Sequence, residues 1–321
     1  MWRTIAPAGE IRVTAPKQAI LLLGGTGFIG TNLSHALVAA GHKVFVAART
    51  TDHISSSAVR PVPFALDAVD ELAALVRRER IDTVVHLVSG LKPSSGLPDY
   101  LAERDAVLTP TIRLARMLAE TGTRLIYFSS GGTVYGAGVE SLAAEDDSCA
   151  PISFYGQSKL ETELHLRFLQ RTCGLRALML RPSNPYGPGQ PLDGGQGLIS
   201  VLLGRLRDGR TLDVWGDGSS TRDYIHIDDL VATVCALVAQ DVHGLTLNIG
   251  SGDGHSLLDV VRIVEQVTGR RMPLNFLPAR ATDVPRLVLN VQRLREMGLH
   301  HNRPLVTGIR QYAASLGMIE G

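Results

Sequence analysis

Tyr155 and Lys159 stand four positions apart in YGQSK. On a helix that spacing puts two side chains on one face, one turn from each other. With seven tyrosines and only four lysines (Lys17, Lys43, Lys92, Lys159) in 321 residues, chance supplies roughly 0.1 such pairs. The chemistry open to the pair is proton transfer. A phenol with a pKa of about 10 is a poor base at neutral pH, but an adjacent ammonium favours its phenolate. A second set of groups lies upstream in IYFSSGGTVYG, residues 126–136. There the apolar run Leu125-Ile126-Tyr127-Phe128 stops at Ser129, Ser130, Gly131, Gly132 and Thr133, which reads as a buried strand opening into a loop at its carboxyl end. In an open α/β sheet, ligands sit in the crevice beyond such strand ends.

The elements that position these groups alternate between strand and helix. Ala19–Leu23 is a continuous apolar run, as in a parallel strand buried on both faces. GGTGFIG follows it at once and leads into helical spacing over Thr31–Ala40. In that context Gly24 serves a tight turn, Gly27 lets backbone approach a pyrophosphate, and Gly30 lets helix and strand pack closely. The N–H groups at the helix start, those of Phe28 and Ile29 included, complete a dinucleotide-phosphate site. Val44–Ala48 is the next strand, and it ends in Arg49-Thr50-Thr51 without the acid that ribose hydroxyls usually meet. Arg49 suits adenine stacking or a 2′-phosphate, so NAD and NADP both stay open. A short strand Val62–Leu66 would bring Leu66 and Asp67 to the adenine, and a strand Thr83–Val88 would bring Leu87 to the same lip. Helices are expected over Asp70–Arg80, Tyr100–Thr121 and Tyr155–Cys173, with strands over 124–128 and Ala177–Leu180.

This pattern predicts an α/β fold, a doubly wound parallel (Rossmann) sheet with a smaller C-terminal substrate lobe. Residues 17–180 with about 223–250 form the expected dinucleotide-binding domain. About 181–222 with 251–321 form the lobe, entered through the Pro- and Gly-rich RPSNPYGPGQPLDGGQG.

Composition sets limits on partners. Charged residues make up 20% and the formal net charge is +1, so no charge bias points to nucleic acid or an anionic membrane. The longest apolar run near the start, Ala19–Leu23, is too short for a membrane span or a signal core. Residues 1–16 read as a loose leader. Cys149, Cys173 and Cys235 have neither metal-ligand nor disulfide spacing, so no metal and a reducing cytoplasm are expected.

LLLGGTGFIG, VVHLVSG, FSSGGTVYG, YGQSK, RPSNPYGPGQ, WGDGSSTRDYIHIDDL, NIGSG and ARATDVP run in order along the chain. Together, over about residues 19–316, they resemble the extended short-chain dehydrogenase/reductase family, in particular nucleotide-sugar 4-epimerases of the UDP-glucose 4-epimerase type. The resemblance implies an NAD(P)-dependent epimerisation at C4 of a nucleotide sugar through a 4-keto intermediate. It makes Tyr155 the base and gives Lys159 a second role on the nicotinamide ribose. It also implies diphosphate contacts from Asn184, Arg222 and Arg280, base stacking by Trp215, and an Asp283 that accepts a ribose hydroxyl or fixes Arg280. His226 reads as packed rather than catalytic. Helices near 100–121 and 155–173 would pair with their copies in a homodimer, through Leu101, Leu108, Ile112, Leu118, Leu160, Leu164 and Phe168.

Two departures stand out. Familiar members carry a third serine where Gly131 stands, so Thr133 becomes the expected hydroxyl partner of Tyr155, with Ser130 in support and the glycines giving room. Val107 replaces a frequent asparagine. Gly131 and Gly132 also stand where a dehydratase would carry Asp and Glu. An NADPH-dependent 4-ketoreductase of a nucleotide deoxysugar is the alternative, and a non-catalytic nucleotide-binding relative a third.

Overall fold

A computed structural model of the chain describes residues 16–52, 54, 56–137, 141–193, 196–279 and 284–320. The strands are β1 (Ala19–Leu23), β2 (Lys43–Ala48), β3 (Val59–Pro63), β4 (Thr83–His86), β5 (Arg124–Phe128), β6 (Ala177–Pro182), β7 (Asn184–Tyr186), β8 (Leu212–Trp215), β9 (Thr221–His226), β10 (Thr246–Ile249), β11 (Gly254–Ser256), β12 (Leu274–Leu277) and β13 (Arg286–Leu287). The helices are α1 (Phe28–Ala39), α2 (Val69–Glu79), α3 (Leu97–Glu103), α4 (Thr109–Thr121), α5 (Phe154–Cys173), α6 (Leu198–Arg207), α7 (Ile227–Ala239), α8 (Leu257–Thr268), α9 (Gln292–Glu296) and α10 (Leu305–Ser315).

Seven parallel strands form the main sheet in the order β10-β6-β5-β4-β1-β2-β3. The runs read as strands are apolar because this sheet is covered on both faces. One core, with Leu33, Leu37, Leu230 and Val234, lies under α1 and α7. The other, with Leu72, Leu114, Leu118 and Leu166, lies under α2, α4 and α5. A separate core joins α6, α8 and α10 through Leu202, Val264 and Ile309. The strand order reverses between β1 and β4, the position where such sheets bind ligands. There the Gly24 turn touches the loop after β4: Leu87 N–H donates to Leu23 at 3.0 Å.

Several elements differ from the sequence reading. The edge strand is Val59–Pro63, earlier than Val62–Leu66: its register with Val44–Ala48 closes at Pro63, and Phe64 N–H makes the last bond, to the Ala48 carbonyl. Helix α1 starts at Phe28, three residues before the expected Thr31, because Phe28 and Ile29 already pack against the core. The long helix expected over Tyr100–Thr121 is two α-helices joined by a π-turn at Arg104–Leu108, closed by Thr109 N–H on the Arg104 carbonyl. Pro110 accounts for the break. It has no N–H to offer the Ala106 carbonyl four residues back, and its ring would press on that oxygen. Leu294 of α9 and Leu299, in the stretch expected with the smaller lobe, pack into the core of the main sheet. Residues 1–15 of the expected leader lie outside the described residues, as do Arg280 and Asp283.

Candidate active site

Helix α5 delivers both residues of the Tyr-Lys pair. Ser153 caps it, its hydroxyl accepting from Gly156 N–H at 3.1 Å, as such residues do at helix starts. Gly156 lets the helix lie directly on the turn after β5: a Cβ there would sit 2.7 Å from the Thr133 carbonyl oxygen. The phenol of Tyr155 is thereby held against the strand end. Lys159 is buried, and its Nζ donates to the Phe128 carbonyl at 3.0 Å. The same Nζ lies 5.2 Å from the Tyr127 ring centroid and 5.7 Å from that of Tyr155.

Burial dominates the electrostatics of the pair. It lowers Lys159 to about 8, against the opposing pull of the Glu103 and Glu163 carboxylates. Lys159 therefore still carries its charge at neutral pH. Burial also raises Tyr155, a hydrogen bond with Ser130 opposes that rise, and Glu103 adds to it. The free protein thus holds a neutral phenol beside a charged ammonium, and further positive charge brought near the phenol would favour proton loss.

The hydroxyls divide differently from the expectation. The hydroxyl that bears on the Tyr155 phenol is that of Ser130, which opposes the rise in its pKa. Thr133 Oγ1 is buried and has no partner among the described residues, as are Ser129 Oγ and Ser183 Oγ. The expected room at Gly131 is also absent, since a side chain there would run into Leu289 and the Arg181 carbonyl. At Gly132 it is present: a Cβ would rest in ordinary contact with the Asn184 amide, 3.7 Å away.

The turn after β1 fits a dinucleotide. The start of α1 has no side chain on its free N–H groups and no acid in its first turn, so its positive end is open to an anion. A Cβ on Gly30 would fall 2.5 Å from Gly25 Cα, so the helix and the turn approach as closely as backbone allows. Gly24, Gly27, Phe28, Ile29 and Gly30 would hold a pyrophosphate. Leu66 and Leu87 are partly buried nearby, while Arg49 and Asp67 are exposed beyond the strand ends.

Residues 20–250 match the sequence model of the NAD dependent epimerase/dehydratase family. This chain belongs to that family. Among its relatives, a dTDP-4-dehydro-6-deoxyglucose reductase from Escherichia coli is 30% identical, covering 94% of this chain and 98% of the relative. A UDP-glucose 4-epimerase from Azospirillum brasilense is 34% identical, covering 88% and 87%. The crystal structure of UDP-glucose 4-epimerase from Thermotoga maritima with UDP-glucose superposes with a TM-score of 0.86 at 25% identity, over 93% of this chain and 98% of that one. The chain is an NAD-dependent enzyme built on the sheet that this family shares.

In this epimerase/dehydratase member, the described residues expected to meet substrate lie on β7, β8 and β9. Asn184 Nδ2 donates to the Asp223 carbonyl at 2.8 Å, which turns its amide toward the Gly132 side of the crevice. Arg222 is half-buried on β9, and Nη1 donates to the Thr221 carbonyl at 2.9 Å. Trp215 ends β8 with 41% of its surface exposed, which excludes it from the lobe core. His226 is buried, with its ring edge-on to Tyr186 at 5.3 Å.

Two charged or titratable neighbours escaped the sequence reading. Glu103 is buried, accepting from Gly90 N–H at 2.9 Å and from the Ser89 hydroxyl at 3.2 Å. An acid at the end of the short helix LPDYLAE gives no sign of this. His86 is buried at the end of β4, with Nε2 2.9 Å from the Thr111 hydroxyl, and desolvation brings it down to about 3. A histidine inside the apolar run VVHLV was the signal available.

Proposed function

We propose that the chain interconverts the C4 epimers of a UDP-hexose through a 4-keto intermediate, with Tyr155 as the acid–base group. The observation that carries this reading is the buried Lys159 ammonium set between the end of β5 and the Tyr155 ring, in a chain of the epimerase/dehydratase family. The Tyr155 phenolate, favoured by Lys159 and by the Ser130 hydroxyl, takes the proton of the C4 hydroxyl. NAD, held at the turn of residues 24–30, would supply a hydride acceptor and donor for C4. The keto sugar turns in the site so that its opposite face is presented for reduction, and Tyr155 returns the proton to the C4 oxygen. Thr133, with its unpartnered hydroxyl, orients the sugar oxygen. Lys159 also holds the nicotinamide ribose. Asn184, Arg222 and Arg280 hold the diphosphate, Trp215 stacks on the base, and Asp283 holds a ribose hydroxyl or fixes Arg280. The relatives named for UDP-glucose support this substrate class.

The enzyme works as a cytoplasmic homodimer in this reading. Among the described residues no helix is long and apolar enough to cross a membrane. Of the residues expected at the interface, Leu108 and Leu118 belong to the core, whereas Leu101, Leu164 and Phe168 are 47%, 54% and 53% exposed on α3 and α5. Those three supply the apolar face that a second copy would cover.

The test is to incubate purified protein with UDP-hexoses and UDP-N-acetylhexosamines, adding no cofactor, and to resolve products by C4 configuration. Conversion of one sugar into its C4 epimer is the expected result. A second reading, reduction of a 4-keto nucleotide deoxysugar by NADPH, is favoured by the exposed Arg49 and missing acid after β2 and by the Escherichia coli relative. Stoichiometric consumption of NADPH with a 4-keto sugar, without epimerisation by NAD-loaded protein, would establish it in place of the first.

A further inference from the structure

Gly131 lies where nothing larger fits. Its N–H donates to the Pro182 carbonyl at 2.8 Å, which seats the turn after β5 on β6. A Cβ at this position would be 2.6 Å from Leu289 Cδ1, 3.1 Å from Cδ2 and 2.7 Å from the Arg181 carbonyl oxygen. Carbon contacts settle at about 3.5–4.0 Å, so the space is already filled. Nor is Leu289 free to withdraw. It is buried, its N–H donates to the Asp223 carboxylate at 3.3 Å, and Val288 and Asn290 on either side each bond the Ala143 backbone at 2.8 Å. The turn itself closes on Ser130, whose carbonyl accepts from Thr133 N–H at 3.3 Å and Val134 N–H at 3.2 Å. Its height above β6 therefore sets where the Ser130 hydroxyl points.

We propose that Leu289 is a positioning residue of the site: by filling the space that any side chain at 131 would need, it seats the turn so that the Ser130 hydroxyl, and none at 131, serves Tyr155. The inference rests on reading Tyr155 as the acid–base group. The other groups around the Tyr155–Lys159 pair are Glu163 on α5, Glu103 at the end of α3, Tyr127 on β5 and His86 on β4. All of them remain in a Leu289 variant, so a change in Tyr155 titration reports on the Ser130 bond.

The experiment is the pH profile of kcat, in NAD-loaded protein, for the UDP-hexose identified by the product assay. Ser130 lowers the Tyr155 pKa, so losing that bond moves the acid limb to higher pH. L289A and S130A are each expected to move it up by about 0.5–1 unit, with no further shift in the double variant and no shift in L289M. G131A, which forces the clash from the other side, should move it in the same direction and serves if L289A folds poorly. An unmoved limb in L289A and G131A, or shifts that add in the double variant, would overturn the inference. Y155F separates the two levels. If it retains activity, the acid–base reading falls and this inference with it. If it is inactive while the limb stays put, only this inference falls.

Discussion

Lys159 is held where a cation is needed and where the folded chain would be more stable without one. Its pKa is lowered from 10.5 to about 8 by burial, so at pH 7 the native state carries a charge that the unfolded state holds more easily. That difference corresponds to a destabilisation of about 3 kcal/mol, at 1.36 kcal/mol per pKa unit. Lys159→Met should therefore raise the melting temperature at pH 7 while lowering kcat by about 10²-fold or more. The sign with pH follows. Between about 8 and 10.5 the native lysine has lost its proton and the unfolded one has not, so the stability gap between the wild type and the variant should narrow across that window. Thermal melts at pH 7, 9 and 10.5 check this, and a gap constant with pH would refute it. In the wild type kcat should also fall above pH 8 as the ammonium is lost. Tyr155 and Lys159 were legible in the sequence because both side-chain types are rare here and the helical period is strict. The hydroxyl assignment was not, because it depends on how far the turn sinks onto β6, and no local pattern in SSGGT records that depth.

At the level of elements, α5 is tied down at two places along one face. Gly156 meets the Thr133 carbonyl at its start, and Glu163 pairs with Arg181 of β6 in a buried bridge, Oε2 to Nη2 2.6 Å and Oε1 to Nε 2.9 Å. Glu163→Gln leaves the Arg181 guanidinium buried without its counter-charge, which should cost about 3 kcal/mol or more, read as a lower denaturation midpoint. Gly156→Ala should lose about 1–3 kcal/mol through overpacking, together with activity, because the added methyl pushes the helix off the turn that it serves. A Gly156→Ala variant with unchanged kcat and stability would show that the close approach is not needed. The positions of α5, β1 and β5 were readable from apolar runs and the glycine turn. The break in the helix after α3 was not, because proline is ordinary in the first turn of a helix and so does not by itself announce a π-turn before it.

On the scale of the whole molecule, the alternation of strands and helices foretold the sheet and its parallel sense. It could not foretell that α9 would return to the main core, since Gln292–Glu296 is short and its apolar residue Leu294 gives no direction. The apolar face on α3 and α5 belongs to this scale too. If a second copy covers it, Leu164→Glu with Phe168→Glu should convert a dimer to a monomer in light scattering, with little change in the melting of the monomer core because both side chains are already exposed. A parent protein that scatters as a monomer would remove the dimer from the proposal.

The two ties on α5 have a mechanical meaning. Residues 155, 159 and 163 follow one another at intervals close to the 3.6-residue turn, so a pin at 156 and another at 163 stop the helix from both sliding and rolling about its axis. The phenol is then a fixed post. In the proposed reaction the sugar, which must show both of its faces to the same post, has to do all the turning itself.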